Sequence, residues 1–278
     1  MKKSGFTLAE VLITLGIIGV VAALTAPALV MQSRNQANAS RLAVIVSELE
    51  NAFTTAIATE NAEDLTKTSL FVKTVTSEYG TNPETGETTL DKVTRDAAAM
   101  KKFAGNLKKY LYTSGFQVSN GGAKDYYSSG PYAMNESGQR STNMHDYTQL
   151  TRFFPILLKN GGVVFFAFER QDKSGARDVI ADAGGGLYDS IGTAVIDVNG
   201  VNEPNTFGRD IFEFAIGKDG ILYPFGGIDY SIFVTTTFSG GQATAGNDTK
   251  TWKKGNLCPK WGSFCAGRVI EEGYKITY

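Results

Sequence analysis

A chain of 278 residues, 42 % hydrophobic and 20 % charged, is long enough to bury a sizeable core of its own. Its formal net charge of −1 argues against a generally basic, nucleic-acid-binding protein, although a sum says nothing about local patches. With one histidine, His145, and two cysteines, neither a histidine-based catalytic triad, a His-rich metal site nor a four-ligand zinc site is supported.

The amino terminus carries the most specific signal. Lys2 and Lys3 precede Gly5-Phe6-Thr7-Leu8-Ala9-Glu10, and the run from Val11 to Met31 has no charge. About 20 apolar residues rising roughly 1.5 Å each cross a hydrocarbon core of about 30 Å, so this run is a membrane-spanning helix candidate. Its length, and a carboxylate placed before it, set it apart from a secretory signal peptide, although Thr25-Ala26-Pro27-Ala28 superficially resembles a cleavage site. Glu10 is the anomaly: a carboxylate at membrane depth costs up to about 3 kcal/mol and calls for a partner. No basic residue stands at helical spacing from it. A cut after Gly5 would place a new amino terminus on Phe6, a cation for the Glu10 of a neighbouring subunit. The plainer alternative is that Glu10 reaches to the headgroups.

Gly5-Phe6-Thr7-Leu8-x-Glu10, the basic five-residue leader, Gly16-Ile17-Ile18-Gly19 and Pro27 together resemble the amino terminus of type IV prepilins and of the pseudopilins of type II secretion. The resemblance covers roughly residues 1–35. It implies cleavage by a prepilin peptidase between Gly5 and Phe6, methylation of Phe6, and a role for Glu10 in assembly. Ala9 stands where isoleucine or valine is common in the family.

Beyond Pro27, which lacks an amide hydrogen and is expected to bend or loosen the helix, the helical pattern resumes. Leu42, Ile45, Val46, Leu49, Phe53, Ala56 and Ile57 recur at steps of three and four, forming an apolar stripe that needs a sheet to lie against. One helix is expected from Phe6 to about Ala58. Residues 61–90 read as a connecting loop with a turn at Asn82-Pro83-Glu84-Thr85-Gly86. Asp91 is expected to cap a second helix along Val93, Ala97, Met100, Ala104, Leu107 and Leu111. Its Lys101, Lys102, Lys108 and Lys109 read as a solvated face. Residues 119–145, rich in Gly, Ser, Tyr and Asn, read as a long loop. Its Tyr126, Tyr127 and Tyr132 either contact a partner or tack the loop to the core.

Strands follow at Val163–Phe168, Thr193–Val198, Ile211–Ile216 and Ile221–Tyr223, the last two joined at Asp219-Gly220. The expected sum is an antiparallel sheet of about four strands, its apolar face covered by the first helix. Val269–Ile276 reads as a short turn and a final extended piece. Cys258 and Cys265 flank a six-residue interval too wide for a C-x-x-C pair. They read as one disulfide of an exported domain, worth about 2 to 3 kcal/mol, with two buried free thiols as the alternative. Asp197, Asn199, Asn205 and Asp210 are a candidate calcium set of oxygen ligands. Gly200 falls two positions early for an EF-hand, and Asn199-Gly200 reads equally as a turn with Asp210 capping nearby structure. The passage resembles a segment recurring in large prepilin-like proteins, some of whose pseudopilin relatives bind calcium in carboxy-terminal loops. No other cofactor is expected.

The expected architecture is therefore α+β and pilin-like: a leader at 1–5, a membrane and amphipathic helix at 6–58, and an extracytoplasmic domain at 59–278. The resemblance implies a structural subunit of a type IV pilus or type II secretion pseudopilus, read as a minor one because the domain is larger than a bulk subunit needs and as non-enzymatic because no catalytic pair is found by spacing. Its partners would be other subunits, prepilin peptidase, the inner-membrane assembly platform and membrane lipid. It would sit as a single pass in the cytoplasmic membrane with its bulk outside, then in a surface or periplasmic filament. The alternative is a membrane-anchored extracellular binding protein or adhesin that does not polymerise.

Overall fold

A computed structural model describes residues 7–81, 88–111, 113–116, 126–127, 131–134, 140–144, 153–168, 177–182, 187–226, 230–235, 238–239, 242–243, 258, 262 and 264–278. Helix α1 (Leu8–Thr59) runs unbroken for 52 residues with Pro27 inside it. Its two halves differ as their sequences do. Every residue from Leu8 to Arg34 is exposed, whereas Leu42, Ile45, Val46, Leu49, Ala52, Phe53 and Ala56 on the amphipathic stripe are buried.

After α1 the chain makes a 3-10 turn at Leu65–Lys67, capped by the Asp64 side chain. It then forms a hairpin of β1 (Val75–Thr81) and β2 (Thr88–Arg95). Residues 61–90 are thus not simply a loop; the turn at Asn82–Gly86 lies outside the described residues. The second helix also starts later than its apolar spacing suggests. Helix α2 (Ala97–Leu107) is capped by Asp96, whose side chain accepts from Ala99 N, while Asp91 and Val93 belong to β2. The β-branched residues of Thr88-Thr89-Leu90-Asp91-Lys92-Val93-Thr94 favour a paired strand over a first helical turn.

The remaining strands are β3 (Thr113–Phe116), β4 (Tyr132–Met134), β5 (Arg140–Met144), β6 (Phe154–Leu158), β7 (Val163–Phe168), β8 (Arg177–Asp182), β9 (Leu187–Asp197), β10 (Ile211–Gly217), β11 (Leu222–Pro224), β12 (Tyr230–Thr235) and a short β13–β14 hairpin at Phe238–Ser239 and Gln242–Ala243. A carboxy-terminal helix α3 (Cys265–Glu271) replaces the expected turn at its position. The main sheet has the order β11-β10-β9-β7-β6-β3, with β8 and β12 branching from β9. All of its pairings are antiparallel. It contains the four expected strands and adds β6 and β3 at one side. The carboxy-terminal half of β9 lies between β7 and β10, with Ile196 opposite Val164 and Phe212.

Alternation along these strands makes two apolar faces. Phe154, Ile156, Val164, Phe166, Phe168, Ile196, Phe212 and Phe214 pack with the α1 stripe, α2 and α3. The opposite face is covered too: Val163, Phe165, Val195 and Ile211 pack with Tyr127, Phe153 and Phe207. Tyr126 and Tyr127 thus tack their loop to the core, their rings centred 5.3 and 5.7 Å from Phe165. The Asp219-Gly220 turn lies directly on α1. Gly220 holds φ +83°, and a Cβ there would stand 3.0 Å from that of Phe53, so glycine meets two constraints at once. Beside it, half-buried Glu50 of α1 accepts from Leu222 N at 3.0 Å, tying the helix to β11.

Candidate functional site

Two places in the molecule carry the residues singled out by their chemistry. The first is the amino end of α1. Thr7 is its N-cap, and Glu10, three positions on, closes a capping box. Glu10 Oε2 accepts from Thr7 N at 2.8 Å and from Thr7 Oγ1 at 2.9 Å, while Glu10 N donates to Thr7 Oγ1 at 3.3 Å. A carboxylate without a basic neighbour in its own helix is therefore hydrogen-bonded within the single chain. Sequence reasoning missed this, although a Thr-x-x-Glu spacing is its signature. Gly5 and Phe6 lie outside the described residues. From Leu8 onward α1 is long and apolar enough to cross a membrane, and its apolar half is exposed throughout.

The second place is the loop from Asp197 to Asp210 that joins β9 to β10. Both carboxylates are fully buried. Asp197 accepts from Tyr127 Oη at 2.7 Å and from Asn199 N at 3.1 Å. Asp210 accepts from Asn205 N at 2.9 Å and from Thr206 N at 2.7 Å, and the Asn199 side chain also bonds to it. Burial pushes the Asp197 carboxyl well above the usual carboxylate range, with the like charge of Asp210 adding to it. Burial likewise pushes Asp210 up to about 6, against the lowering effect of the Thr206 and Asn205 amides and of Asn199. The four residues read as a calcium set are thus brought together, with Asn199 Oδ1 buried and without a hydrogen-bond partner. Among the described residues no three His, Cys, Asp or Glu side chains gather in a way that could hold a metal ion. His145 lies outside the described residues.

This loop is also where distant parts of the chain meet. Asn38 Nδ2 of α1 donates to Arg209 O at 3.2 Å, and Tyr278 Oη donates to Gly208 O at 2.7 Å. Tyr132 of β4 exchanges backbone bonds with Asn205 and Phe207. Cys258 and Cys265 form a disulfide, buried with Met134 in one cluster. Gly208, at φ +81°, leaves no room for a Cβ beside Met134 and Cys265, so glycine is required where the loop meets the disulfide.

The raised carboxyl of Asp210 makes stability depend on pH. Its folded-state value, about 6, lies above the roughly 3.9 of an unfolded aspartate. Its contribution is therefore most favourable below the unfolded value and is lost as pH rises through about 6. The shift corresponds to a change on the order of 3 kcal/mol. Thermal unfolding followed from pH 4 to pH 8 is expected to show the Asp210 contribution to Tm falling between about pH 4 and pH 6 and levelling off above it. Asp210→Asn should flatten the fall while lowering Tm at acid pH, because one of the two amides facing Asp210 then meets an NH2 group.

A family model described as the prokaryotic N-terminal methylation motif matches residues 1–26. No curated protein and no solved structure matches the chain. The chain carries the type IV prepilin-type signature on an α+β, pilin-like architecture of one long helix against an antiparallel sheet. The motif supports reading the chain as a type IV pilin- or pseudopilin-like precursor. The signature points to a structural protein, processed by prepilin peptidase and assembled with other pilin subunits, and with α1 it fits a single-pass membrane anchor.

Proposed function

We propose that the chain is a minor, non-enzymatic subunit of a type IV pilus or type II secretion pseudopilus. Residues 1–5 are a leader removed between Gly5 and Phe6, residues 6–58 a membrane and filament helix, and residues 59–278 a domain outside the cytoplasm. The observation that carries this reading is a single helix fully exposed over its apolar half and welded to the sheet over its amphipathic half. Such a half-partnered helix has two natural environments, lipid before assembly and other apolar helices after it. An assembly platform in the inner membrane extracts the subunit. In the filament, Glu10 exchanges its Thr7 contacts for the Phe6 amine of a neighbour, and Pro27 leaves one α1 carbonyl without its amide donor, a weak point where the rod adapts on leaving lipid.

Amino-terminal sequencing of the native polypeptide and its recovery in sheared filaments test this reading. A chain beginning at methylated Phe6 and present in the filament fraction is expected. Glu10→Ala should leave processing intact and lower incorporation about tenfold or more, because the counter-charge for a neighbour's Phe6 amine is gone. Normal incorporation of that variant removes the pairing. A mature terminus at Met1 and absence from filaments would favour a tethered binding protein instead.

A second reading gives the Asp197–Asp210 loop to calcium, held by Asp197, Asn199, Asn205 and Asp210. Two buried, mutually repelling carboxylates favour it, since a divalent ion would offset the charge that burial opposes. The amide and hydroxyl donors already aimed at those carboxylates weigh against it. Binding heat and a rise in Tm with millimolar calcium, both lost in Asp210→Asn, would carry this reading. A flat titration would leave the loop a hydrogen-bonded junction.

A further inference from the structure

The segment after α3 is drawn to the point where α1 leaves its apolar run. Asn35 Nδ2 donates to Ile276 O at 3.3 Å. Asn35 stands four residues beyond Met31, or about 6 Å along the helix. The headgroup layer on either side of a hydrocarbon core is about 5 to 7 Å deep. A segment tied to Asn35 therefore lies at headgroup depth whenever α1 spans a bilayer with Met31 at its outer boundary.

That segment is fixed in place. Tyr278 Oη is bonded to Gly208 O, and the Tyr278 ring lies 4.6 Å from the Arg268 guanidinium and 5.5 Å from that of Arg209. Exposure alternates along it: Gly273, Lys275 and Thr277 are exposed, Ile276 is buried, and Tyr274 and Tyr278 are half-buried. Gly273 and Tyr274, at φ +72° and +56°, turn the chain out of α3, and from Lys275 onward one side faces the domain and the other is open. Lys275 is the charge on the open side, and Arg34, one residue before Asn35, is exposed on α1. Neither joins an ion pair among the described residues, whereas the nearby Glu272 is bound by Arg268 at 2.9 Å.

We propose that Arg34 and Lys275 together bind anionic phospholipid headgroups of the outer leaflet and seat the globular domain on the membrane before assembly. The proposal rests on the membrane-spanning reading of α1. An exposed guanidinium and an exposed ammonium at headgroup depth are attracted to phosphate. Extraction into a filament then breaks this contact along with the burial of α1 in lipid.

The test uses the full chain at low density in vesicles of phosphatidylcholine alone or mixed with phosphatidylglycerol, and reads flotation and amide hydrogen exchange. Wild type is expected to float with both. Exchange over residues 273–278 is expected to be roughly tenfold slower in the anionic vesicles, as two basic residues at an anionic surface predict. Arg34→Gln/Lys275→Gln should float equally and lose that slowing. Equal exchange in the two lipids, or slowing that survives the double substitution, overturns the proposal while leaving the membrane helix standing. Failure to float overturns both.

Discussion

Phe166→Ala is expected to lower the Tm of the full chain by roughly 6 to 20 °C. Phe166 is fully buried at the point where four elements meet. Its ring centroid lies 6.4 Å from Phe53 of α1, 5.0 Å from Phe103 of α2, 6.2 Å from Phe154 of β6 and 5.8 Å from Phe168 of its own strand. Truncating a buried phenylalanine costs about 3 to 5 kcal/mol, from lost transfer energy and from the cavity that remains. Here the cavity would be walled by α1, α2 and the sheet, whose positions other contacts fix, so collapse into it is limited. In a domain of about 200 residues each kcal/mol moves Tm by about 2 to 4 °C, which gives the stated range. Val44→Ala, on the exposed side of α1, is the control and should stay within about 0.5 kcal/mol of wild type. Equal Tm values for the two variants would mean that Phe166 does not join the helices to the sheet.

Gly5→Glu is expected to abolish processing and, with it, filament incorporation. A peptidase that must bring the backbone at Gly5 into its active site tolerates little bulk there, and a charge adds a desolvation cost at membrane depth. The second consequence is electrostatic. With residues 1–5 retained, Phe6 keeps an amide nitrogen, so no ammonium forms for a neighbour's Glu10 to meet. Glu10 then keeps only its Thr7 partners, which suffice for one chain but contribute nothing between chains. Gly5→Glu should therefore fail both in amino-terminal sequence and in filament yield, whereas Glu10→Ala fails only in yield. A shortened, Phe6-started chain recovered from Gly5→Glu would remove the cleavage site from its assigned position.

The amphipathic stripe of α1 was legible because its period is local: Leu42, Ile45, Val46, Leu49, Phe53 and Ala56 are all buried where three- and four-residue spacing puts them. The strands at Val163–Phe168 and Ile211–Gly217 were legible for the same reason, as dense runs of β-branched and aromatic residues. Strand β6 was not, because Pro155 argues against a strand flanked on both sides; pairing with Phe165 in the sheet overrides that local preference. The start of α2 was misplaced because Val93 happens to fall in helical phase with Ala97 and Met100. Its pairing with Ser77, sixteen residues earlier, decides otherwise.

Taken alone, the order of residues determined much that depends on near neighbours: the amino-terminal methylation motif, the apolar span, the stripe that follows it, and the short loop closed by two cysteines. Tertiary structure alone decided the rest. It covered the second face of the sheet with Tyr127 and Phe207, buried Asp197 and Asp210 as hydrogen-bond acceptors in one junction, and brought Ile276 to Asn35 across 241 positions. The physical reason is that periodicity and motifs report on contacts within a few residues of chain. Burial and the resulting shift of a carboxyl's proton affinity depend on which remote segments arrive to exclude water.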